Sequence, residues 1–278
     1  MPELPEIETV KLQLQKVLVG QELININVLN QKVIQGDLDL VVNKTVLGVE
    51  RMGKVLLIKF GENLKLGFHF KMTGQLIYDN GKERVVGGHP TEDFVAKMPS
   101  SHTRVIFSFE KGTLFFNDQR LFGWVMLNPK FVDKLGPEPF VMTDDKFVET
   151  FKNVRKPIKV ALMDQERISG VGNIYANDAC WEARVNPSTL AKQLSAEQLI
   201  LLFECVKKVL KEGIMYGGAT AADAKYIDLH GLGGHYQEHF RVYDREGLKC
   251  LRNDGGVIKK ITLGGRGTYF CPVCQNNE

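Results

Sequence analysis

Apolar and polar residues alternate through much of the first half of the chain, which is the period of a half-buried β-strand. Ile24, Ile26 and Val28 stand between polar residues, and later short runs are rich in β-branched and aromatic residues. These runs cover residues 55–58, 64–70, 105–109 and 114–116. They predict an all-β unit, a sandwich or a barrel, over about residues 20–130, with a long surface loop over residues 87–101.

A helical period precedes and follows this β-rich region. Apolar residues from Ile7 to Val17 recur at helical spacing, and Gly20 predicts the end of that first helix. Further helices are predicted over residues 144–151, 158–164, 174–183 and 195–212. Ser195 to Gln198 form a capping box for the last helix, which Gly213 is predicted to end. A glycine-rich mobile loop is predicted over residues 217–234, and strand-like residues return in the tail.

Composition is typical of a globular protein, and 278 residues are enough for two domains and a small appendage. Hydrophobic residues make up 44% and charged residues 25%, and no apolar run is long enough to cross a bilayer. The N-terminus lacks the basic and apolar stretches of a signal peptide, so we expect a cytoplasmic protein with no membrane partner. The net charge of +3 permits a nucleic-acid partner without requiring one.

Five cysteines, an odd number in a chain without a leader, argue against a disulfide framework. Cys180 and Cys205 lie singly among apolar residues and are expected to be buried thiols of the core. Cys250, Cys271 and Cys274 crowd the C-terminus, which suggests a metal site.

The N-terminal residues Met1, Pro2 and Glu3 have an ordinary and a chemical interpretation. Proline followed by glutamates is common in the first turn of a helix, and this observation alone favours the ordinary interpretation. Methionine before a small residue is usually trimmed, however, and trimming would expose the secondary amine of Pro2. An α-amino group titrates at about pH 8, so a fraction is nucleophilic. Its attack on a sugar carbon would give an iminium, with Glu3 as the neighbouring general acid or base.

Residues 1–10, Met-Pro-Glu-Leu-Pro-Glu-Ile-Glu-Thr-Val, resemble the opening of the bacterial formamidopyrimidine-DNA glycosylase family, and further motifs of that family follow in order. These motifs are Arg-Met-Gly-Lys at 51–54, His-Phe-Lys-Met-Thr-Gly at 69–74, Asp-Gln-Arg-Leu-Phe-Gly at 118–123, Ile-Ser-Gly-Val-Gly-Asn-Ile-Tyr at 168–175, Gly-His-Tyr-Gln at 234–237 and Cys-Pro-Val-Cys-Gln at 271–275. Together, and in this order, they are highly specific.

The resemblance implies an α+β fold with an N-terminal β-sandwich and leading helix, a helix–two-turns–helix domain and a C-terminal zinc-finger-like β-hairpin. The implied boundaries are residues 1–130 for the catalytic sandwich, 131–232 for the DNA-binding domain with its lesion-recognition loop, and 233–278 for the hairpin. The implied protein is a monomeric DNA glycosylase and AP lyase that acts on damaged double-stranded DNA in base excision repair. Its implied substrates are oxidised purines, 8-oxoguanine and formamidopyrimidines, removed with β,δ-elimination through a proline Schiff base.

The resemblance also assigns roles to individual residues. The implied catalytic residues are Pro2, Glu3, Lys54 and Arg266. The implied DNA-binding residues are Met72, His102, Arg120, Phe122, Lys156, Lys159 and Asn173. Their chemistry is suitable, because Met72 and Phe122 are apolar wedges that can fill the space of an everted base. The planar donor fork of Arg120 suits the orphaned cytosine, and the glycine-rich turn before Asn173 offers backbone N–H groups to phosphate.

Without the resemblance, ordinary interpretations of these residues would be favoured. Core packing would explain Met72 and Phe122, and a solvated basic face would explain Lys156 and Lys159. A histidine alone in a loop, such as His102, is usually just exposed.

The C-terminal hairpin departs from the zinc-binding pattern of the family, Cys-x2-Cys-x16-Cys-x2-Cys. Cys250, Cys271 and Cys274 are present. The second ligand position falls on Asn253 when counted from Cys250 and on Asp254 when counted back from Cys271. Because zinc accepts carboxylate oxygen as well as thiolate, we expect one structural zinc ion held by the three cysteines and Asp254.

Two alternatives to this zinc site are loss of zinc, with the hairpin held by packing, and a site that uses His235 and His239 with the last two cysteines. Other departures from the family are milder. Lys71 replaces the usual Gly before Met72 and adds a positive charge near the DNA, and Asp178 is one methylene shorter than the usual Glu.

Two other functions are also compatible with the motifs. The first is a DNA-lesion binder that no longer cleaves, and the altered hairpin is the best argument for it. The implied catalytic residues argue against it, because a binder has no need of a free N-terminal proline. The second is a glycosylase of the same fold for oxidised pyrimidines, against which Leu4 and the wedge residues argue.

Overall fold

A computed structural model describes residues 1–219 and 234–276, which form two compact units. The first unit comprises Met1–Asp133 and Tyr216–Gln237, and the second comprises Lys134–Met215 and Glu238–Glu278. The described helices are α1 (Leu4–Leu18), α2 (Asp144–Phe151), α3 (Ile158–Leu162), α4 (Asn173–Glu182) and α5 (Ala196–Met215). The glycine-rich segment predicted to be a mobile loop lies largely outside the described residues.

The leading helix α1 forms where the apolar stripe predicts it. Pro5 stands in its first turn, where the missing N–H has no cost, and the Glu3 N–H donates to Glu6 Oε2 over 2.7 Å. Its apolar stripe is buried at Ile7, Val10, Leu14 and Leu18.

The first unit holds most of the strands. They are β1 (Glu22–Val28), β2 (Ile34–Gln35), β3 (Lys44–Thr45), β4 (Gly48–Met52), β5 (Val55–Gly61), β6 (Leu64–His69), β7 (Gly74–Asp79), β8 (Arg84–Gly88), β9 (Thr103–Phe109), β10 (Gly112–Asp118) and β11 (Trp124–Leu127). One sheet has the order β3-β1-β9-β10-β7-β8 and the other the order β2-β11-β6-β5-β4.

The two sheets share one core, so the predicted β-sandwich is confirmed. Phe68 on β6 meets Phe107 on β9 edge to face, with ring centroids 5.6 Å apart, and Phe116 on β10 at 6.1 Å. All three rings are buried, and residues of α1 belong to the same cluster. Burial of these aromatic side chains is a main source of stability for this unit.

The predicted surface loop over residues 87–101 is partly wrong. A short 3-10 helix, Glu92–Phe94, turns Phe94 into a small apolar cluster with Ile77, Val86 and Phe115. Asp93 is buried as well. The hydrophobic pattern of this segment has no period because its backbone is irregular. The single side chain of Phe94 is nevertheless enough to anchor the segment to the sheet.

In the second unit, α5 begins with the predicted capping box. The Ser195 N–H donates to Gln198 Oε1 over 2.8 Å, and the Gln198 N–H donates to Ser195 Oγ over 3.2 Å. The prediction that Gly213 ends this helix is wrong, because α5 continues to Met215. A Cβ on Gly213 would lie 2.5 Å from the ring of Tyr175, so glycine serves close packing there.

The tail of the second unit forms the predicted hairpin, β12 (Lys259–Leu263) and β13 (Arg266–Phe270), in antiparallel register. One buried side chain of α4 holds this hairpin, and the next holds the segment that leads to it. Asn177 Oδ1 accepts from the Tyr269 N–H over 2.8 Å, and Asp178 Oδ1 accepts from three successive backbone N–H groups at residues 241–243. Burial raises the pKa of Asp178, although those backbone bonds act against the rise.

No helix within residues 1–219 and 234–276 combines the length and the apolar character that a bilayer span requires.

Candidate functional site

The N-terminus lies buried against the first unit. Pro2 and Glu3 are both buried just ahead of α1. Glu6 connects this start to the segment after α5, because its Oε2 accepts from the Glu3 N–H and its Oε1 accepts from the Ala219 N–H over 2.8 Å. Gly218, at φ +86°, brings its backbone close enough that a Cβ would lie 2.8 Å from the Glu6 side chain. The N-terminus is therefore held in place on the side of α1 that meets residues 218–219.

Lys54 lies in the tight turn between β4 and β5, and its side chain is buried. Gly53 takes the left-handed conformation that the turn requires, at φ +57°. Arg51 holds the turn to α1 by donating from Nε to Glu8 Oε2 over 2.7 Å and from Nη1 to the Gly53 carbonyl over 3.2 Å. Burial raises the pKa of Glu8, but bonds to Lys11 and Arg51 outweigh burial and hold that pKa below its usual value.

His69 ends strand β6 and lies in the same cationic neighbourhood as Lys54. Burial, followed by the positive charges of Lys71 and Lys54, lowers the pKa of His69 to about 3. The ring is therefore neutral near pH 7, and its Nδ1 accepts from the Lys71 N–H over 3.0 Å. With Nδ1 occupied as an acceptor, Nε2 carries the proton and is available as a donor.

Met72, Arg120 and Phe122 lie on two turns that a buried carboxylate joins. Asp118 Oδ1 accepts from the hydroxyl of Thr73 and, over 3.1 Å, from the Arg120 N–H, while its Oδ2 accepts from the N–H of residue 123 over 2.6 Å. Phe122 is 53% exposed, and the Arg120 guanidinium lies 4.6 Å from the centre of its ring. An aromatic ring left in solvent beside an exposed arginine is unusual for core packing and suits contact with DNA bases.

His102 is half-buried and bound to the segment that precedes it. Its Nδ1 lies 3.0 Å from Asp93 Oδ2, and Asn117 Nδ2 donates to the same carboxylate oxygen over 3.2 Å. Asp93 therefore orients the imidazole ring and leaves Nε2 as the polar edge that faces away from this pair.

In the second unit, Gln165 shapes the glycine-rich turn before α4. Its amide Nε2 donates to the carbonyls of Met163 and Val171 over 2.9 and 2.8 Å, and its Oε1 accepts from the Gly170 N–H over 2.9 Å. Asn173 follows as the first residue of α4. The turn thus presents the start of a helix, where backbone N–H groups favour an anion.

Lys159 is fully buried and forms an internal connection. Its ammonium donates to Asn173 Oδ1 and, over 3.1 Å, to Thr268 Oγ1 on the hairpin, and Asn173 Nδ2 donates to the Gly267 carbonyl over 3.1 Å. This arrangement gives Lys159 a direct means of positioning Asn173, and its predicted phosphate contact stays a prediction. Lys156 is exposed, with Asp164 as a distant partner at 3.9 Å.

Arg266 begins β13 at the tip of the hairpin and is exposed. Gly264 and Gly265 form the turn before it, at φ +58° and +72°. A Cβ on Gly264 would lie 3.0 Å from Val160 of α3, so the hairpin tip lies close to that helix.

Four residues of the tail converge into a group able to hold a metal ion. Cys250, Asp254, Cys271 and Cys274 place one ligand atom each within 4.8 Å of one another. Cys250 Sγ lies 3.9 Å from Cys274 Sγ, and Cys271 Sγ lies 3.4 Å from Asp254 Oδ2. Three thiols and one carboxylate at this spacing match the tetrahedral donor set that zinc prefers.

Local geometry decides between the two candidates for the fourth ligand. Asn253 is exposed and left-handed, at φ +53°, whereas Asp254 turns inward and its Oδ1 accepts from the Gly256 N–H over 2.8 Å. A Cβ on Gly256 would lie 2.3 Å from Cys271 Sγ, so only glycine fits beside that sulfur. His235 and His239, the alternative ligands, do not belong to the converging group within residues 1–219 and 234–276.

Two side chains around this group donate to its sulfur atoms. Trp181 Nε1 lies 3.4 Å from Cys250 Sγ, and Arg252 Nη1 lies 3.2 Å from Cys274 Sγ. Arg252 also stacks on the Trp181 ring at 3.8 Å and donates to backbone carbonyls at the end of α4. Such donors stabilise thiolate charge and fix the orientation of the ligands.

The sequence motifs contained Asp118 and His69 but assigned them no role, and Gln165 stands three residues ahead of the motif at 168–175. A polar residue that directly precedes or follows a functional motif is the signal that could have found them. Glu6, Asp93 and Arg252 carried no such signal, because their partners lie in other segments of the chain.

Family models match nearly the whole chain. The formamidopyrimidine-DNA glycosylase N-terminal domain matches residues 1–125, the H2TH domain of the same enzymes matches residues 135–225, and a zinc finger found in FPG and IleRS matches residues 247–277.

Similar proteins agree over their full lengths. The formamidopyrimidine-DNA glycosylase of Pelotomaculum thermopropionicum is 38% identical, and that of Listeria monocytogenes is 35% identical, with at least 99% of each chain covered. The crystal structure of Lactococcus lactis Fpg with oxidised-pyrimidine-containing DNA superposes with a TM-score of 0.85 at 32% identity, covering 99% of this chain and 100% of the other. Thermus thermophilus MutM (Fpg) gives the same TM-score and identity, with both chains fully covered.

The zinc-finger match and the converging Cys250, Asp254, Cys271 and Cys274 together show one structural zinc ion. Two departures from the usual motifs, at Lys71 and Asp254, do not disturb the fold. The chain belongs to the formamidopyrimidine-DNA glycosylase family, the zinc-finger-bearing DNA glycosylases that remove damaged bases in base excision repair.

Proposed function

We propose that this DNA glycosylase is bifunctional, excising oxidised purines such as 8-oxoguanine and formamidopyrimidines and then cleaving the strand as an AP lyase. The observation that carries the proposal is the buried placement of Pro2 and Glu3 at the start of α1. The positive end of the helix and the burial both disfavour a charged ammonium group there. Once Met1 is removed, the amine of Pro2 is a nucleophile with an acid beside it.

The first chemical step joins the protein to the sugar. Pro2 nitrogen attacks C1′ of the damaged nucleotide, the C1′–base bond breaks, and the base leaves with the bonding pair and takes up the proton that the Pro2 nitrogen gives up. Glu3 then protonates the ring oxygen, and the C1′–O4′ bond opens as the nitrogen lone pair forms the iminium.

The iminium is the electron sink for strand cleavage. Loss of the C2′ proton expels the 3′ phosphate, and a second elimination expels the 5′ phosphate, which leaves a one-nucleotide gap. We assign Lys54 to the acid–base steps and Arg266 to the second elimination. The cationic neighbourhood of Lys54, where His69 is held neutral, supports a site for the departing phosphates.

We assign the binding of damaged double-stranded DNA to two sets of residues. Met72, Arg120 and Phe122 fill the space of the everted base, while His102, Lys156, Lys159 and Asn173 act on the backbone, Lys159 through Asn173. The protein would work as a cytoplasmic monomer, with functional domains at residues 1–130, 131–232 and 233–278. Relatives solved with abasic-site-containing DNA support the DNA-binding part of this proposal.

Borohydride trapping on a duplex with 8-oxoguanine opposite cytosine tests the chemistry. We expect a covalent adduct with the wild type, none with Pro2→Gly, and a reduced yield with Glu3→Gln. Intact mass spectrometry first establishes that Met1 is absent from each preparation. No adduct from protein that lacks Met1 and binds the duplex would contradict the lyase mechanism on this lesion and favour a non-cleaving binder.

A glycosylase for oxidised pyrimidines is a second candidate, because the similar L. lactis protein has been crystallised with oxidised-pyrimidine-containing DNA. A duplex that carries an oxidised pyrimidine in place of 8-oxoguanine distinguishes the two candidate functions. Faster single-turnover excision of the pyrimidine than of 8-oxoguanine would favour this second candidate.

A further inference from the structure

The backbone of Lys71 takes a conformation that lysine rarely adopts. Its φ is +47°, in the left-handed region where a Cβ is crowded and which glycine occupies without penalty. This position is the one where the family usually has glycine. Strained residues cluster at functional sites, so the lysine at this position is a candidate for a role of its own.

The ammonium group of Lys71 has no partner among the residues that the structure describes. Within residues 1–219 and 234–276, no side chain or carbonyl forms a hydrogen bond or an ion pair with it, and only its backbone N–H is engaged, by His69 Nδ1. The side chain is half-buried in a neighbourhood that already holds Lys54. Like charges repel one another there, so the cluster favours an anion from outside the chain.

The position of Lys71 specifies which anion. Lys71 directly precedes Met72 on the turn that Asp118 joins to the turn of Arg120 and Phe122. A duplex held by those wedge residues brings its phosphates close to Lys71. Lysine binds phosphate as a point charge and needs no fixed geometry, which suits a residue on a tight turn.

We propose that Lys71 contacts a DNA phosphate beside the everted nucleotide, an additional anchoring residue that compensates for the strained backbone it imposes on the wedge turn. The contact holds substrate and transition state alike, so it raises affinity without accelerating the chemistry. This inference rests on the DNA-binding part of the proposed function and not on the lyase mechanism.

Equilibrium binding to a duplex that contains a tetrahydrofuran abasic analogue tests the contact. Lys71→Gly restores the family residue, and Lys71→Asn keeps a side chain that tolerates the left-handed region but carries no charge. We expect both to bind roughly tenfold more weakly at low salt, with a salt slope smaller in magnitude by about 0.9, as for the loss of one phosphate contact. Lys71→Arg should bind nearly as the wild type does.

Lys82→Gly is the matched control. It removes one positive charge from the exposed hairpin turn at the opposite end of β7 from Lys71, and we expect no change in its affinity or salt slope.

Thermal unfolding distinguishes the loss of a DNA contact from the loss of the fold, because relief of strain should keep or raise the Tm of Lys71→Gly. In single-turnover excision, we expect Lys71→Gly and Lys71→Asn to keep the maximal rate of the wild type and to need a higher enzyme concentration for half saturation.

Wild-type affinity and salt slope in both Lys71→Gly and Lys71→Asn would overturn the proposal, as would an equal loss in Lys82→Gly. Failure of the proposed lyase chemistry has a different signature. The tetrahydrofuran analogue cannot form an iminium, so a wild type that fails to trap on 8-oxoguanine leaves the binding difference at Lys71 intact.

Discussion

His69 is a titratable residue whose neutral state depends on its surroundings. Its pKa is lowered to about 3, whereas an unfolded histidine titrates near 6.5. Between these values the unfolded chain binds a proton that the folded chain does not, so stability decreases as the pH falls from about 6.5 towards 3. Above pH 6.5 the contribution of His69 is complete.

We therefore expect His69→Gln to reduce the pH dependence of unfolding in this window, by at most about 1.4 kcal/mol per pH unit. Denaturant unfolding of both proteins at several pH values measures the difference. A His102→Gln variant serves as a comparison at another half-buried histidine. Identical pH profiles for wild type and His69→Gln would contradict the neutral assignment of His69.

Asp118 shows how one residue organises two elements. Its carboxylate accepts hydrogen bonds from both wedge-bearing turns. In Asp118→Asn an NH2 group replaces one carboxylate oxygen, so a donor would face a donor. We expect Asp118→Asn to lose about 1–3 kcal/mol of stability and to bind duplex DNA more weakly because the Arg120 and Phe122 turn loosens. Unfolding and binding measured on the same preparation check both effects.

Thr73→Val is the companion variant, since it removes one donor to Asp118 and keeps the shape of the side chain. We expect Thr73→Val to lose less stability and less DNA affinity than Asp118→Asn does. If Asp118→Asn lost stability but bound DNA as tightly as the wild type, the hydrogen bonds of Asp118 to the two turns would have no part in DNA recognition.

We expect the folding of the hairpin to depend on its zinc ion, because the ligands come from separate turns of the tail. Zinc bound only by the folded state stabilises that state, so chelation should lower the Tm of the second unit. We expect Asp254→Ala to lose most of its zinc, Asp254→Cys to retain it, and Asn253→Gly to retain it because Asn253 is exposed and left-handed.

Metal analysis by mass spectrometry gives the zinc content of each variant. Cobalt substitution adds a readout independent of activity, because the thiolate-to-cobalt absorption should report three sulfur ligands in the wild type and four in Asp254→Cys. Full zinc retention by Asp254→Ala with loss in Asn253→Gly would reverse the ligand assignment.

The elements that the sequence predicted well are those with local signals. Helix α2 matches its prediction, and the capping box at Ser195 forms as expected. Gly213 was misinterpreted because a glycine that permits close packing against Tyr175 has the same local pattern as a helix stop. Phe94 was assigned to the surface because a single anchoring side chain has no period.

The candidate site was less predictable, because its geometry depends on residues far apart in the chain. Lys159 and Thr268 are 109 positions apart, and Glu6 and Ala219 are 213 apart. Pattern and resemblance named Lys159 and Asn173, but neither could show that the lysine is buried and holds the asparagine. The choice of Asp254 over Asn253 likewise required the backbone conformation of the turn.

For the whole molecule, the small net charge makes DNA affinity a matter of local contacts. Each phosphate contact made by a cation contributes a slope of about −0.9 to the dependence of log affinity on log salt. With several cationic residues assigned to phosphate, we expect affinity to fall steeply between about 50 and 200 mM salt. Fluorescence anisotropy across this range measures the slope, and a flat response would contradict the DNA-repair assignment itself.

The carboxylate in the zinc group has a consequence for which metals the protein can tolerate. Sulfur is a soft donor and oxygen a hard one, so replacing one thiolate by Asp254 makes the site less attractive to soft ions such as cadmium relative to zinc. We therefore expect this hairpin to prefer zinc over cadmium more strongly than a hairpin with four sulfur ligands does.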